Sequence, residues 1–378
     1  MKLPIRLLLI LSFPLSALAG VPSPPSVDAR SYVLYDFASA QVLAESNAEQ
    51  RVEPASITKI MTAYVAFDEL KRGHVSVDDQ VLISEKAWRT PGSRTFVEVG
   101  KRVAFGDLLM GSVVQSGNDA TVAIAEHIAG DESVFAELMN THAKRLGLTG
   151  THFENSTGLP SPEHYTTARD VALLSHALIR DFPDGYKLFS EREFAFGHRG
   201  AITQQNRNLL LDMDPGADGI KTGHTESAGF CLAASSVREN RRLIAVVMGT
   251  GGPRERAQAS KTLLDYGFRF FENVTLFGTD KPVQSVRVWK GAVEQLPVGV
   301  AEPVVLTVPR GLADQLALAP TIDASPIAPV SAGQPLGSIT LSIGDKPLRT
   351  LPLVALQPVA EGGMLRQLVD TVRLWIDS

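Results

Sequence analysis

Alternating and helical patterns of apolar residues divide the first part of the chain into predicted strands and helices. Residues 32–35 and 41–43 predict two strands of a hairpin, with a turn at residues 38–40 between them. Pro54 and Ser56 then mark a helix start, because a proline near the first turn and a hydroxyl side chain are both favoured there. Apolar residues recur at helical spacing after this point, so we expect Ser56 at the N-terminus of a helix.

Helical spacing dominates the middle of the chain, and strand-like runs return after it. Residues 106–180 are mostly helical in pattern. Residues 219–223, 230–235 and 243–249 are short apolar runs separated by turn residues, which favours consecutive strands of an antiparallel sheet. A helix is predicted from about residue 255 to residue 270. Strands, then helices, then strands again indicate a mixed α/β fold, with an antiparallel sheet flanked by helices.

The last quarter of the chain differs in composition and in the spacing of its apolar residues. Residues 274–361 are rich in Val, Pro and Gly and contain short strand-like runs without helical spacing, which predicts a small all-β domain. Residues 362–378 return to helical spacing and predict a C-terminal helix. Because 378 residues exceed one average domain, we expect a larger first domain over residues 20–273 beside this smaller one.

The C-terminal helix is predicted to be amphipathic and to attach the protein to a membrane surface. Its apolar positions share one helical face, with Trp375 beside them, and are Leu365, Leu368, Val369, Val372 and Ile376. A helix of about sixteen residues is too short to span a bilayer, which takes roughly twenty apolar residues. The alternative is a helix that docks on the β domain through its apolar stripe.

The first residues predict a secretory signal peptide. Lys2 and Arg6 precede an apolar run at residues 7–18, and Ala17-Leu18-Ala19 fits a small-residue cleavage site. We therefore expect removal of residues 1–19 and an exported protein. The alternative, an uncleaved anchor helix, fits poorly with Pro14 and with the short apolar run.

Composition and charge exclude several classes of function. With 44% hydrophobic and 20% charged residues, the chain is typical of a water-soluble globular protein. A net charge of -5 leaves no basic surplus, so nucleic acid is not an expected partner. Cys231 is the single cysteine and lies in an apolar run, which predicts a small core residue. The eight histidines show no metal-ligand spacing, and neither a metal nor another cofactor is expected.

Ser56-Ile57-Thr58-Lys59 is the one place where a serine stands three residues before a lysine. On a helix this spacing puts both side chains on one face, within reach of a hydrogen bond. Lys59 can then take the proton of Ser56, provided that burial and a second nearby cation bring its pKa down towards 7. A plain helix start with an exposed lysine is the alternative interpretation of this motif alone.

Two further motifs provide matching chemistry. Lys221-Thr222-Gly223 lies on a predicted strand: Lys221 is the expected second cation, Thr222 offers a hydroxyl to a carboxylate, and Gly223 allows close approach of a substrate backbone. Ser116-Gly117-Asn118 lies between two helical patterns, where a tight turn needs glycine. Ser116 can relay a proton and Asn118 can bind a substrate amide. Each motif alone also fits an ordinary strand end or turn.

The three motifs in this order resemble those of penicillin-binding proteins and class A β-lactamases. The chain after the signal is similar to the low-molecular-weight penicillin-binding proteins, the D-alanyl-D-alanine carboxypeptidases of serine peptidase family S11. The resemblance rests on residues 51–62, 116–120, 155–159, 166–170, 218–225 and 266–271. It implies a β-lactamase/transpeptidase-like sheet flanked by helices, followed by the β domain and the amphipathic helix.

The resemblance also implies roles for individual residues. Ser56 is the acyl-forming nucleophile and Lys59 its base, with Ser116 and Asn118 as the second motif. Substrate-binding positions are implied for Lys221, Thr222, Gly223, His224, Arg207 and Arg256. In the family the oxyanion hole lies between two backbone N–H groups, here those of Ser56 and His224. Ordinary surface arginines remain the alternative for Arg207 and Arg256. The His224 side chain is expected to have a mainly structural role on the strand, with a general base as its alternative.

The implied activity is removal of the terminal D-alanine from peptidoglycan stem pentapeptides through an acyl-enzyme, with acylation by penicillin and other β-lactam antibiotics. The implied location is the periplasmic face of the cytoplasmic membrane, with peripheral attachment through the C-terminal helix. A D,D-endopeptidase and a weak β-lactamase are alternatives on the same scaffold, whereas a non-catalytic wall-binding protein leaves the three motifs unexplained. Glu137 is the faint candidate for a deacylating glutamate, but its helical surroundings predict an exposed carboxylate and slow deacylation.

Overall fold

The computed structural model describes residues 21–197, 202–277, 281–323 and 325–376. The predicted signal peptide, residues 1–19, lies outside the described residues. The chain forms two compact units, one over Ser23–Arg269 and one that begins at Phe270. Its mixed α/β architecture, with a β-rich C-terminal unit that ends in a helix, confirms the predicted fold class.

The N-terminal unit alternates strands and helices. Its strands are β1 (Ser31–Asp36), β2 (Gln41–Ser46), β3 (Gln80–Leu82), β4 (Arg102–Ala104), β5 (Glu193–Phe196), β6 (Ile202–Gln205), β7 (Ala217–Thr225), β8 (Gly229–Arg238) and β9 (Arg241–Thr250). Its α-helices are α1 (Lys59–Arg72), α2 (Glu85–Arg89), α3 (Phe105–Val113), α4 (Asn118–Ala129), α5 (Glu132–Arg145), α6 (Ala168–Asp181), α7 (Pro183–Tyr186), α8 (Leu210–Met213) and α9 (Pro253–Phe270). Two short 3-10 turns cover Ala55–Thr58 and Lys187–Ser190.

A five-stranded antiparallel sheet in the order β2-β1-β9-β8-β7 is the centre of this unit. Side chains alternate between its two faces, so Val33 and Val246 belong to the core beneath the helices, with α6 packed on β1 and β9. On the other face Leu34 and Leu243 lie against α9, where Gly267 allows the helix to approach closely. Both faces are covered, which explains the nearly continuous apolar runs of these strands.

The edge strand β7 and the start of α1 meet beside this sheet. The 3-10 turn at Ala55–Thr58 runs directly into α1 and packs against β7. Helices α3 and α4 pack against each other, and the turn between them joins the same region. The three sequence motifs therefore come from the start of α1, the start of α4 and the edge strand.

The C-terminal unit is mostly antiparallel sheet. Its elements are β10 (Phe271–Leu276), β11 (Gln284–Arg287), β12 (Gln295–Gly299), β13 (Val304–Pro309), β14 (Leu316–Ile322), β15 (Pro335–Ile343), β16 (Lys346–Ala355) and the helix α10 (Met364–Ile376), with a 3-10 turn at Ala313–Gln315. One sheet has the order β11-β12-β16-β15-β14, and β10 pairs with β13 in another. Because β10 starts directly after α9, strand structure begins three residues before the predicted residue 274.

Helix α10 contacts its own unit through its polar side. Asp370 is buried, and its carboxylate accepts hydrogen bonds from the backbone N–H of Lys290 at 2.7 Å and from the guanidinium of Arg287 at 3.4 Å. The apolar side is open, with Leu365 and Trp375 each 81% exposed. The alternative of a helix docked through its apolar stripe is therefore wrong. Within the described ranges, no helix has the length and apolar content needed to cross a membrane.

Candidate active site

Ser56 lies at a helix start, as predicted, although the first turn has 3-10 geometry and α1 itself begins at Lys59. The preceding residue, Ala55, has a φ of 48°, which is rare for a side chain with a Cβ and costs on the order of 1–3 kcal/mol. Gly158, at a φ of 84°, packs so closely on Ala55 that any side chain there would overlap its carbonyl group. The chain around Ser56 is thus held in a strained turn by a neighbouring loop.

Lys59 is buried against Ser56. Its Nζ lies 2.9 Å from Ser56 Oγ and donates to Asn118 Oδ1 at 2.7 Å and to the Thr157 carbonyl at 2.8 Å. The side chain is only 1% exposed. Burial, and next the positive charge of Arg207, lower the pKa of Lys59 to about 7, although Asp119 and Glu132 act in the opposite direction. A lysine of this kind is partly neutral at physiological pH and can accept the Ser56 proton.

The second motif connects α3 and α4. Asn118 uses both ends of its amide within the protein, because Nδ2 also donates to the Pro91 carbonyl at 2.6 Å. Ser116 has a φ of 66°, and its buried Oγ has no hydrogen-bond partner among the residues that the structure describes. An unpartnered hydroxyl at this place is free to exchange a proton with a bound substrate.

Gly117 is not required for the reason that the sequence predicted. Its φ is −62°, so the left-handed conformation belongs to Ser116 and not to the glycine. A Cβ at Gly117 would lie 2.7 Å from the Thr95 backbone nitrogen and 2.9 Å from Asp119 Oδ1. The glycine is needed because this turn packs tightly on the segment around Thr95.

Lys221 lies on β7 and is 3% exposed. Burial is the main cause that lowers its pKa well below the usual range, and the charges of Lys59, Arg207 and Arg256 act in the same direction. Its Nζ donates to the Thr222 carbonyl at 3.3 Å. Arg207 also lowers the pKa of Lys59, a contribution that sequence reasoning missed, and the positive charges of Lys59 and Lys221 oppose each other.

The rest of the third motif places β7 against the turn that carries Ser56. A Cβ at Gly223 would lie 2.9 Å from the Pro54 carbonyl oxygen and 3.2 Å from the Ile57 backbone nitrogen. Gly223 was predicted to let a substrate backbone approach the strand closely. In the structure, the segment that approaches Gly223 closely is the protein's own turn at Ala55–Thr58. Thr222 is buried beside it, and the exposed ring of His224 stacks on Phe230 with 3.9 Å between the ring centroids. This stacking fits a structural use of the His224 side chain.

Arg207 and Arg256 occupy different positions. Arg207 lies at the mouth of the cleft, where its guanidinium donates to Ser93 Oγ at 2.8 Å. Arg256 is buried and donates to the carbonyl groups of Gly223 at 3.0 Å and of Arg207 at 3.3 Å. Arg256 thus links β7 to the segment that carries Arg207.

A cleft of about 710 Å³ brings the predicted residues together. Those that line it directly are Ser56, Ser116, Asn118, Arg207, Thr222, Gly223, His224 and Arg256. Lys59 and Lys221 are buried next to this lining. A separate cavity of about 740 Å³ beside α9 contains none of these residues.

Sequence reasoning missed several residues that shape the site. Thr157 supplies a carbonyl to Lys59, and its loop is held by Asn155, whose Oδ1 accepts from the Gly158 backbone N–H at 2.8 Å. Glu132 Oε1 accepts from Ser156 Oγ at 2.7 Å, so the carboxylate near Lys59 comes from the first turn of α5. Glu137, the candidate from sequence, is exposed on the same helix. Residues 155–159 were already part of the family resemblance, but sequence reasoning assigned them no role in the site.

Cys231 is buried, as predicted, and burial raises the pKa of its thiol to about 11, so it is not a nucleophile at neutral pH. Across the described parts of the chain, no group of three or more His, Cys, Asp or Glu side chains is placed to hold a metal ion.

Comparison with known proteins gives consistent matches over both units. Residues 19–252 match the family described as D-alanyl-D-alanine carboxypeptidase, and residues 271–361 match the C-terminal domain of penicillin-binding protein 5. The D-alanyl-D-alanine carboxypeptidase DacC of Escherichia coli is 41% identical over 93% of this chain and 89% of its own length.

Solved structures agree. Penicillin-binding protein 5 from Haemophilus influenzae has a TM-score of 0.86 and 38% identity, and the match covers 90% of this chain and 100% of that chain. A penicillin-binding protein of Listeria monocytogenes, solved in an ampicillin-bound form, matches 65% of this chain and 100% of its own with a TM-score of 0.59 and 26% identity. With its motifs gathered in one cleft and these relatives along nearly its whole length, the chain belongs to the D-alanyl-D-alanine carboxypeptidase family of penicillin-binding proteins.

Proposed function

We propose that this carboxypeptidase removes the terminal D-alanine of peptidoglycan stem pentapeptides through an acyl-enzyme on Ser56. The observation that carries the proposal is the contact between Ser56 Oγ and Lys59 Nζ at 2.9 Å, together with a pKa of about 7 for Lys59. A neutral lysine at hydrogen-bond distance is the base that a serine hydroxyl needs in order to attack.

In the acylation step the Ser56 hydroxyl transfers its proton to neutral Lys59 while Oγ bonds to the carbonyl carbon of the penultimate D-alanine. The negative charge that forms on the carbonyl oxygen is stabilised by the backbone N–H groups of Ser56 and His224, each contributing on the order of 3 kcal/mol. Breakage of the C–N bond releases D-alanine, whose amine receives the proton through Ser116. Ser116 suits this relay because its Oγ is buried without a partner among the described residues.

Deacylation reverses the proton path. A water molecule gives its proton to Lys59, directly or through Ser116, and its oxygen bonds to the acyl carbon. Breakage of the ester bond then returns the proton to Ser56 Oγ and releases the shortened peptide.

The terminal carboxylate of the substrate is bound by Lys221, Thr222 and Arg207. Thr222 and Arg207 line the cleft, and Lys221, the residue before Thr222 on β7, is buried next to this lining. A carboxylate next to Lys221 favours its charged form and so opposes the effect of burial on its pKa. Arg256 has a positioning role, since its hydrogen bonds go to the carbonyl groups of Gly223 and Arg207. Asn118 orients Lys59 and offers its remaining amide proton to the substrate.

β-Lactam antibiotics are proposed to acylate the same serine. They present a strained amide and a carboxylate in the arrangement that the cleft binds, and the Listeria relative was solved with ampicillin bound. Slow hydrolysis of the resulting ester is expected, because Glu137 is exposed on α5 and does not reach the cleft. D,D-endopeptidase activity would use the same residues with a larger leaving group, and no observation favours it over carboxypeptidase activity.

We propose peripheral attachment at the periplasmic face of the cytoplasmic membrane. Export is inferred from the signal-like residues 1–19, and attachment from the open apolar side of α10, whose polar side is occupied by contacts to its own unit. A helix with one apolar face and one polar face lies in the plane of a membrane interface.

The catalytic proposal is tested with two reagents. The purified chain without residues 1–19 is incubated with diacetyl-Lys-D-Ala-D-Ala and, separately, with benzylpenicillin. Release of D-alanine, and a mass increase of one penicillin that peptide mapping places on Ser56, are the expected results. A penicillin adduct on another residue, or no D-alanine release, would refute the proposal.

A further inference from the structure

A second cavity of about 610 Å³ lies beside the catalytic cleft, in the N-terminal unit. Its lining includes Arg30, Arg51, Glu53, Pro160, Tyr165 and Ser227. It adjoins the cleft along two borders, because Leu159 and Thr225 line the cleft while Pro160 and Ser227 line the cavity. A hydrogen bond of 3.3 Å between the hydroxyl groups of Thr225 and Ser227 crosses the second border. The two spaces are therefore neighbouring parts of one surface.

Two guanidinium groups face this cavity. Arg51 stacks over the ring of Tyr165 at 4.2 Å from its centroid, and Arg30 donates to the Ser227 carbonyl at 3.0 Å. Within the described residues these contacts are to a ring and a carbonyl, not to a carboxylate. Both arginines are exposed and retain donors for a ligand.

The carboxylate that lines the cavity, that of Glu53, already has hydrogen-bond partners within the protein. Glu53 Oε2 accepts hydrogen bonds from the hydroxyl groups of Ser227 and, at 3.5 Å, of Thr225. His164 adds no charge, since burial lowers its pKa to about 4. Two arginines against one carboxylate leave the lining with a surplus of positive charge.

The direction of the substrate leads to this cavity. This step rests on the proposed function, in which the terminal carboxylate lies at Lys221 and Thr222 and the scissile carbonyl at Ser56 and His224. A strand advances about 3.3 Å per residue, so the part of the peptide that precedes the scissile bond continues past His224 towards Thr225. The next surface along this path is the cavity of Arg30 and Arg51.

We propose that Arg30 and Arg51 form a subsite for a carboxylate of the stem peptide, carried by the residues that precede the two D-alanines. The subsite binds acidic stem peptides in preference to neutral ones and acts on binding, not on the chemical step. A bidentate arginine contact suits a carboxylate, and the Tyr165 ring holds one of the two guanidinium planes in place.

The test uses the full mature chain and the double variant Arg30→Gln/Arg51→Gln. Three substrates are compared: a stem pentapeptide with free carboxylates, the same pentapeptide with those upstream carboxylates amidated, and neutral diacetyl-Lys-D-Ala-D-Ala. For the acidic pentapeptide we expect KM to rise about fivefold with kcat unchanged, and the effect to shrink in high salt. For the two other substrates the variant should match the wild type.

The matched control is Arg102→Gln, since Arg102 is also exposed and donates to a backbone carbonyl, that of Gln80, at 2.8 Å. This variant should leave all three substrates unaffected. An equal loss on the amidated or neutral substrate, or no loss on the acidic one, would overturn the subsite. Failure of the wild type to hydrolyse the neutral tripeptide would instead refute the proposed function.

Discussion

In the proposed mechanism, the reactivity of Ser56 depends on which of the cationic side chains around it carry a charge. Lys59 is made partly neutral by burial and by Arg207, and Lys59 in turn lowers the pKa of Lys221. Buried cations this close do not all keep their protons in the free enzyme. In the proposed mechanism, an incoming substrate carboxylate stabilises the charged forms of Lys221 and Arg207 and leaves Lys59 as the base. The same electrostatic arrangement thus serves nucleophile activation and substrate binding.

Replacement of the nucleophile tests the assignment directly. Ser56→Ala should abolish both D-alanine release and penicillin labelling, because among the described residues no other hydroxyl is hydrogen-bonded to Lys59 Nζ. The hydroxyl makes no further hydrogen bond among the described contacts, so the melting temperature should change little. Mass spectrometry after incubation with penicillin, with circular dichroism as the folding control, checks both statements. Residual labelling of the variant would remove Ser56 from the role.

The pH dependence of acylation should report Lys59. Only the neutral form accepts a proton, so the rate of acylation by penicillin should rise with pH through about 7 and then level off. At pH 6 it should be roughly tenfold below the plateau. Because the charge of Arg207 lowers the pKa of Lys59, Arg207→Gln should move the midpoint to higher pH, whereas Arg207→Lys should move it less. Stopped-flow acylation across pH measures this, and an unmoved midpoint in Arg207→Gln would contradict the argument.

At the scale of the elements, packing holds the turn that carries Ser56, the proposed nucleophile. Glycines at 158 and 223 let the Thr157 loop and the edge strand β7 approach the 3-10 turn from two sides. The strained Ala55 conformation persists because both neighbours hold it. Both glycines are needed because they lie in close contact with the backbone of this turn.

Enlarging one of these contacts should damage activity more than stability. In Gly223→Ala the added Cβ would lie 2.9 Å from the Pro54 carbonyl oxygen, which pushes β7 away from Ser56. We expect a loss of stability of about 1–3 kcal/mol and at least a tenfold loss of acylation rate. Gly251→Ala is the control, since a Cβ there meets no atom within 4 Å. Equal acylation rates in the two variants would show that the approach of β7 is not critical.

The packing of helices, strands and loops also shows which features the sequence could predict and which it could not. Strands and helices with clear periodicity were predicted, and so were the motifs at their ends, because local spacing determines which side chains share a face. The contact from Lys59 to the Thr157 carbonyl joins residues 98 positions apart, and no local pattern contains it. For the same reason the effect of Arg207 on the pKa of Lys59 was not predicted, and Gly117 was given a conformational reason where the true one is steric.

At the scale of the whole molecule, the proposed catalysis and the proposed membrane attachment involve residues of different compact units. The N-terminal unit contains every residue of the proposed catalytic cleft, from Ser56 to Arg256. The C-terminal unit presents the open apolar side of α10. Asp370 gives this helix a defined orientation, since its buried carboxylate binds the backbone of Lys290. The apolar residues are thereby turned outwards as a group.

Removal of the terminal helix should therefore separate attachment from catalysis. The mature chain should sediment with phospholipid vesicles, and it should remain bound in high salt, because apolar burial and not charge provides most of the binding energy. A chain that ends at Gly362 should stay in the supernatant and release D-alanine from diacetyl-Lys-D-Ala-D-Ala at the wild-type rate. The variant Leu368→Asp tests attachment without removing the helix. Leu368 is 65% exposed, so the change leaves the core intact, and it should weaken sedimentation with vesicles. A mature chain that stays in the supernatant, or a shortened chain that unfolds, would show that α10 serves the fold of its unit and not the membrane.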